Sequence, residues 1–244
     1  GCGVQVQEML EIDTCPALDV RNQCSGFIYG LSVADQFIKT GMYKTVLLIG
    51  SENHSGGLDM TTRGRNVSVI FGDGAGAAVL QQTDDTNHAV LSTHLHSQGK
   101  FAKELSLTSP STLYWVDAIM EDSPMENPPY YPYMNGQFVF KNAVVRFAEV
   151  ITEGLKANQL SPEDVDLFIA HQANLRIAQF VQKKFNWTDD QVYNNIQNYG
   201  NTTAASIPIA LTEAWEKGKL NPGDRLVLSA FGSGFTWGSA IINW

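Results

Sequence analysis

The chain has 244 residues, 43% of them hydrophobic and 17% charged, with a formal net charge of −9. That apolar content can bury one large core or two joined ones, which excludes a disordered chain. The acidic balance, without clustered Lys or Arg, excludes a nucleic-acid surface, and no stretch approaches the roughly 18 uninterrupted apolar residues of a membrane-spanning helix.

Gly1-Cys2-Gly3 runs straight into the helical pattern Val4–Leu10, an opening that reads as a fragment. Three cysteines without metal-ligand spacing suit a reducing compartment, so a cytoplasmic globular protein is expected. Cys2 and Cys15 are expected to be structural, Cys15 packing into the core just before Pro16. Pro16–Val20 reads as a buried strand and Gly26–Thr40 as a helix, with Phe27, Leu31, Ala34 and Ile38 on one stripe and Gly41 closing it. Cys24 stands at their junction. Unpaired N–H groups and the dipole of a helix start favour the thiolate there, the nucleophilic form, although a lone cysteine is more often a small buried hydrophobe.

Lys44–Gly50 reads as a second buried strand, completing a strand-helix-strand unit from residue 16 to residue 50. The glycines at 72, 74 and 76 superficially suggest a phosphate cradle. No helix pattern or Lys-Ser/Thr pair follows them, so close backbone packing is the expectation. His88–Ser97 alternates like a strand and puts His94 and His96 on one face, a metal pair only if a third ligand joins them. Residues 98–136 are irregular and rich in Pro and Tyr, the pattern of a lid or binding surface. Phe138–Asn158 is again helical. Ser161-Pro162 marks a capped turn leading to the strand Val165–Ala170, at whose end stands His171. Asn174–Phe185 and Asn201–Trp215 read as helices, and Arg225–Phe231 and Trp237–Trp244 as closing strands. The order strand, reactive residue, helix thus occurs twice, at Cys24 and at His171, which suggests two related halves.

Cys24, His171 and Asn201 occupy equivalent places in this pattern. A thiolate can take an acyl group from a thioester, while His and Asn can donate hydrogen bonds to an enolate or oxyanion. Each alone has an ordinary reading, His171 as a structural histidine and Asn201 as an N-cap. Their flanks are more specific: Asp19-Val-Arg-Asn-Gln-Cys24-Ser-Gly-Phe, Phe71-Gly-Asp-Gly-Ala-Gly-Ala-Ala, Val139-Phe-Lys-Asn-Ala-Val, His171-Gln-Ala-Asn-Leu-Arg176-Ile, Tyr199-Gly-Asn201-Thr-Thr-Ala-Ala-Ser-Ile-Pro and Phe231-Gly-Ser-Gly-Phe-Thr-Trp-Gly-Ser-Ala. Six such motifs in this order strongly resemble 3-oxoacyl-acyl-carrier-protein synthase III, over nearly the whole chain.

The resemblance implies an α/β, thiolase-like fold, layered αβαβα, with two pseudo-equivalent halves. Residues 1–98 would be the remainder of the first half, 99–136 an insertion or lid bordering the acyl pocket, and 137–244 the second half. It implies Cys24 as the acylated nucleophile, His171 and Asn201 as promoters of malonyl decarboxylation, and the backbone N–H groups of Cys24 and Ser233 as an oxyanion hole. By the same resemblance Arg65 would meet the coenzyme A nucleotide and Arg176 an acyl carrier protein. Acyl-coenzyme A and malonyl-acyl carrier protein would be substrates, with no metal or other cofactor, in a homodimer. The family's first strand-helix-strand unit is not in this sequence, and the long 98–136 segment suggests a longer or branched primer. An acyltransferase, a specialised polyketide- or quinolone-type synthase of the same superfamily, or an inactive carrier-binding subunit are the alternatives. A papain-like protease is disfavoured, because the Cys-Gly-Ser-Cys-Trp type of signature is absent.

Overall fold

The computed structural model describes residues 1–108 and 130–244. The expected lid therefore lies largely outside the described residues. The chain opens with α1 (Cys2–Met9), followed by an irregular stretch to a 3₁₀ turn at Gln23–Ser25 and then α2 (Gly26–Lys39). The expected strand at Pro16–Val20 does not form. A strand needs a neighbour to take its backbone N–H and C=O groups, and no described strand lies alongside; Leu18 and Val20 are instead 63% and 43% exposed. Asp19 accepts a hydrogen bond from Gly3 N at 3.1 Å, which ties the stretch to the start of α1. Cys15, expected in the core, is exposed on this stretch, and so is Cys2.

α2 forms where expected, because Phe27, Ile28, Leu31 and Ala34 recur at helical spacing and all are buried. Gly41 ends it at φ +74°, where a side chain would be strained. Next come β1 (Thr45–Glu52), the single turn α3 (Arg65–Ser68) and β2 (Gly74–Gln81), the two strands pairing antiparallel. β3 (Ala89–Ser97) and the short β4 (Leu105–Ser106) and β5 (Tyr133–Met134) lead into α4 (Gly136–Ala157), whose first turn is capped by Asn135 Oδ1 accepting from Phe138 N. Then follow β6 (Leu167–Ala170), α5 (Leu175–Phe185), β7 (Val192–Tyr193), α6 (Ile196–Tyr199), α7 (Ser206–Glu216), β8 (Arg225–Gly232) and β9 (Thr236–Asn243). The helix expected from Asn201 begins five residues later, after a 3₁₀ turn at Thr203–Ala205.

Five strands make one sheet in the order β3-β9-β8-β6-β7, with β6 parallel to both neighbours and β8, β9 and β3 antiparallel in turn. β3, on the near side of residue 98, is thus hydrogen-bonded into the second half's sheet. Alternation along β8 splits the core in two. Val227 and Phe231 face α4 and α5, while Leu226 and Leu228 face α2 and α7. On the far side of α2 and α7, β1 and β2 contribute Leu48, Ala78 and Leu80 to the second cluster. The layers therefore run α4/α5, five-stranded sheet, α2/α7, two-stranded sheet, which is an α/β arrangement and four of the five layers of the αβαβα expectation. The opposite face of β1–β2 carries the cross-strand partners Leu47 and Val79, which are 43% and 64% exposed. Among the described residues no helix is long and apolar enough to cross a membrane.

Candidate active site

Cys24 sits in the 3₁₀ turn that feeds α2, packed against the end of β8 so closely that a Cβ on Gly232 would lie 2.5 Å from Cys24 Cβ. Only glycine allows that approach. The backbone N–H groups of Ser233 and Cys24 and the side chain of Asn201 all point at the sulfur and favour its charged form. Burial outweighs them. Desolvation first, and the Glu52 carboxylate second, push the thiol up to about 12. The expectation that a helix start leaves Cys24 as a thiolate is thus corrected: in this enclosed setting the resting group is the thiol.

His171 follows β6, its backbone N donating to Ser229 O at 2.8 Å, and its side chain is 3% exposed. Burial lowers it to about 3, against a smaller opposing effect of the Thr203 carbonyl, so the ring is neutral. Its Nδ1 lies 2.7 Å from Ser206 Oγ. Its Nε2 is buried with no hydrogen-bond partner among the described residues.

Asn201 is held by the segment 70–72, just before β2. Its N donates to Ile70 O at 2.9 Å and its O accepts from Gly72 N at 3.0 Å, a parallel bridge to Phe71. Thr203 N donates to Asn201 Oδ1 at 2.9 Å, which leaves the amide nitrogen to face Cys24. Gly72, just before β2, and Gly76, within it, serve close packing against this segment. A Cβ on Gly72 would lie 2.1 Å from Tyr199 O, and one on Gly76 would lie 2.9 Å from Pro208 Cβ.

Further residues without a motif role complete the frame. Glu52 Oε2 accepts from Thr203 Oγ1 at 2.7 Å. Gln172 Oε1 accepts from Asn195 N and Ile196 N at 3.1 and 3.2 Å. Glu213 accepts from Tyr199, from Tyr193 at 2.8 Å, from Lys217 at 3.1 Å and from Asn195 at 3.3 Å, and these donors, Tyr199 foremost, hold its carboxyl at about 2. Gln172 lies inside the motif that opens at His171, whereas Glu52 and Glu213 carry no sequence signal.

A cavity of about 1590 Å³ brings Cys24, His171, Asn201, Ser233 and Arg176 into one lining. Arg65 is not brought in. It stands exposed on α3, while its neighbour Asn66 lines the cavity. Arg63, in the same loop, pairs with Asp59 and lies over the Tyr131 ring at 5.4 Å. His94 and His96 do share a face of β3, and both reach Glu153, at 3.3 and 2.6 Å. Among the described residues no group of three or more His, Cys, Asp or Glu is arranged to hold a metal ion.

Comparison with known proteins gives a consistent result. Residues 18–99 match the family described as 3-oxoacyl-[acyl-carrier-protein (ACP)] synthase III, and residues 155–244 match its C-terminal counterpart. A beta-ketoacyl-[acyl-carrier-protein] synthase III of Aliivibrio fischeri is 44% identical over 238 residues, covering 98% of this chain and 70% of its own length. One from Salmonella typhi is 42% identical over the same coverage. Among solved structures, the 3-oxoacyl-[acyl-carrier-protein] synthase III of Aquifex aeolicus VF5 superposes with a TM-score of 0.88 at 38% identity, covering 99% of this chain and 71% of that one.

Proposed function

The chain belongs to the 3-oxoacyl-[acyl-carrier-protein] synthase III family, and from that premise we propose that it condenses an acyl group from acyl-coenzyme A with malonyl-acyl carrier protein. The product is a 3-oxoacyl-acyl carrier protein, made for fatty acid or related biosynthesis in the cytoplasm. The observation that carries this reading is the meeting of Cys24, His171 and Asn201 in one cavity from three distant parts of the chain.

Cys24 Sγ attacks the thioester carbonyl of acyl-coenzyme A. Because burial keeps it a thiol, its proton leaves as the new bond forms and passes to the departing coenzyme A sulfur. The oxyanion is met by the N–H groups of Cys24 and Ser233, the two that converge on the sulfur. After exchange of carriers, the malonyl thioester oxygen lies against His171 and Asn201, which hold the enolate formed as carbon dioxide leaves. The enolate carbon attacks the acyl-cysteine carbonyl and expels Cys24 as a thiolate, which takes one proton from solvent to return to the resting thiol. Loss of carbon dioxide drives the condensation, so the chemistry needs neither a redox cofactor nor a metal.

We assign Arg176, on the cavity lining at the start of α5, to contact with an acidic carrier protein, and Arg65, next to the lining residue Asn66, to the coenzyme A nucleotide. We assign residues 1–98 and 137–244 to the two halves, 99–136 to a lid and the working form to a homodimer. The half-reactions test the central assignment separately. Cys24→Ser should abolish the acyl-enzyme adduct in an intact-mass spectrum, while Asn201→Ala should keep the adduct and lower malonyl decarboxylation about 100-fold. Equal loss of both half-reactions in the Asn201 variant would refute these roles.

A further inference from the structure

We propose that Ser206 is a positioning residue that holds His171 in the tautomer with its hydrogen on Nε2, the form able to donate to a developing enolate oxygen. This rests on the decarboxylating role given to His171 above. A neutral imidazole carries one hydrogen, so donation from Nε2 requires Nδ1 to accept. The Ser206 hydroxyl, 2.7 Å away, is the hydrogen-bond partner of Nδ1 among the described residues. The Thr203 carbonyl also acts on the ring and can only accept, so Ser206 is the donor.

That hydroxyl has a single hydrogen and two claimants, because Thr203 O lies 2.8 Å from Oγ. Gln172 N–H, at 3.3 Å, occupies one Oγ lone pair. Turned to Nδ1, the hydroxyl hydrogen fixes a donor at Nε2, whose unpartnered atom lies in the cavity wall. Turned to Thr203, it forces the hydrogen onto Nδ1 and leaves Nε2 a bare lone pair, which repels an enolate. The tautomer is thus chosen by the rotation of one hydroxyl. Ser206 itself is rigidly placed, being 2% exposed on the first turn of a helix against which Gly74 and Gly76 are packed.

Removing the hydroxyl should separate the half-reactions. In Ser206→Ala, Nδ1 loses its donor and is expected to take the hydrogen. Malonyl-thioester decarboxylation should then fall about 100-fold, with Cys24 acylation by acyl-coenzyme A kept within about twofold. Nitrogen-15 shifts of the His171 ring should report Nε2–H in the wild-type protein and Nδ1–H in the variant, a readout that a merely structural role would not move. A wild-type ring protonated on Nδ1 overturns the proposal without recourse to any variant. Unchanged decarboxylation in Ser206→Ala, or equal loss of both half-reactions, also overturns it. His171→Gln is the control for the underlying reading: if that variant decarboxylates at the wild-type rate, the role of His171 itself fails, whatever the ring nitrogens report.

Discussion

Burial sets the charge state of the two titratable groups proposed to carry the chemistry, Cys24 and His171. Cys24 was found from its flanks and its place before a helix, but the N–H groups that favour a thiolate are outweighed by enclosure, which depends on how Gly232 and Asn201 close over it. No local pattern encodes that closure. His171 is perturbed by the same burial, and this has a consequence for stability. Its folded value of about 3 lies below the ordinary unfolded value of about 6.5. The unfolded chain therefore binds the extra proton, so stability is full above pH 6.5 and is lost as the pH falls toward 3. At pH 5 the loss from this one group is about 2 kcal/mol relative to neutral pH. Urea titrations should show His171→Gln losing less stability than the wild type between pH 7.5 and pH 5, by about that amount. Equal losses would mean the ring is not held neutral.

At the level of elements, periodicity found α2, α4, α5 and β8 in place, because each has a buried stripe or a continuous apolar run. β1 and β3 also form, but β1, expected as a buried parallel-type strand of a strand-helix-strand unit, is only partly buried and pairs antiparallel with β2. Periodicity failed at Pro16–Val20, where an apolar run has no strand to pair with. The glycine run that opens β2 is a packing device, for a reason visible only in space: α7 lies against Gly74 and Gly76 within contact distance. Gly76→Ala should therefore press a methyl onto Pro208, whose Cβ is 2.9 Å from the new atom. We expect a cost of about 1–3 kcal/mol in chemical denaturation, with α7 and its Ser206 displaced. A variant as stable as the wild type would show that α7 shifts freely. Glu213 was invisible in the sequence, since its donors converge from β7, α6 and α7.

Over the whole molecule, the expected repeat of strand, reactive residue and helix holds at His171 and fails at Cys24, where residues 16–20 form no strand; the six motifs pointed to the family, and what they could not give was which faces stay open. Leu47 and Val79 stand opposite each other on the outer face of β1–β2, largely in water. Replacing both with Lys should reduce binding of an apolar fluorescent dye while leaving the far-ultraviolet circular dichroism unchanged; undiminished dye binding would locate the sticky surface elsewhere. The backbone bridge between Phe71 and Asn201 reaches further. Because one segment supplies the carboxamide and another, well over a hundred positions earlier, supplies the rung that aims it, relatives cannot be recombined piecemeal. A chimera whose crossover separates residues 70–72 from 199–203 would inherit a mismatched seam at its reactive centre, and only exchanges that move both segments together should breed true.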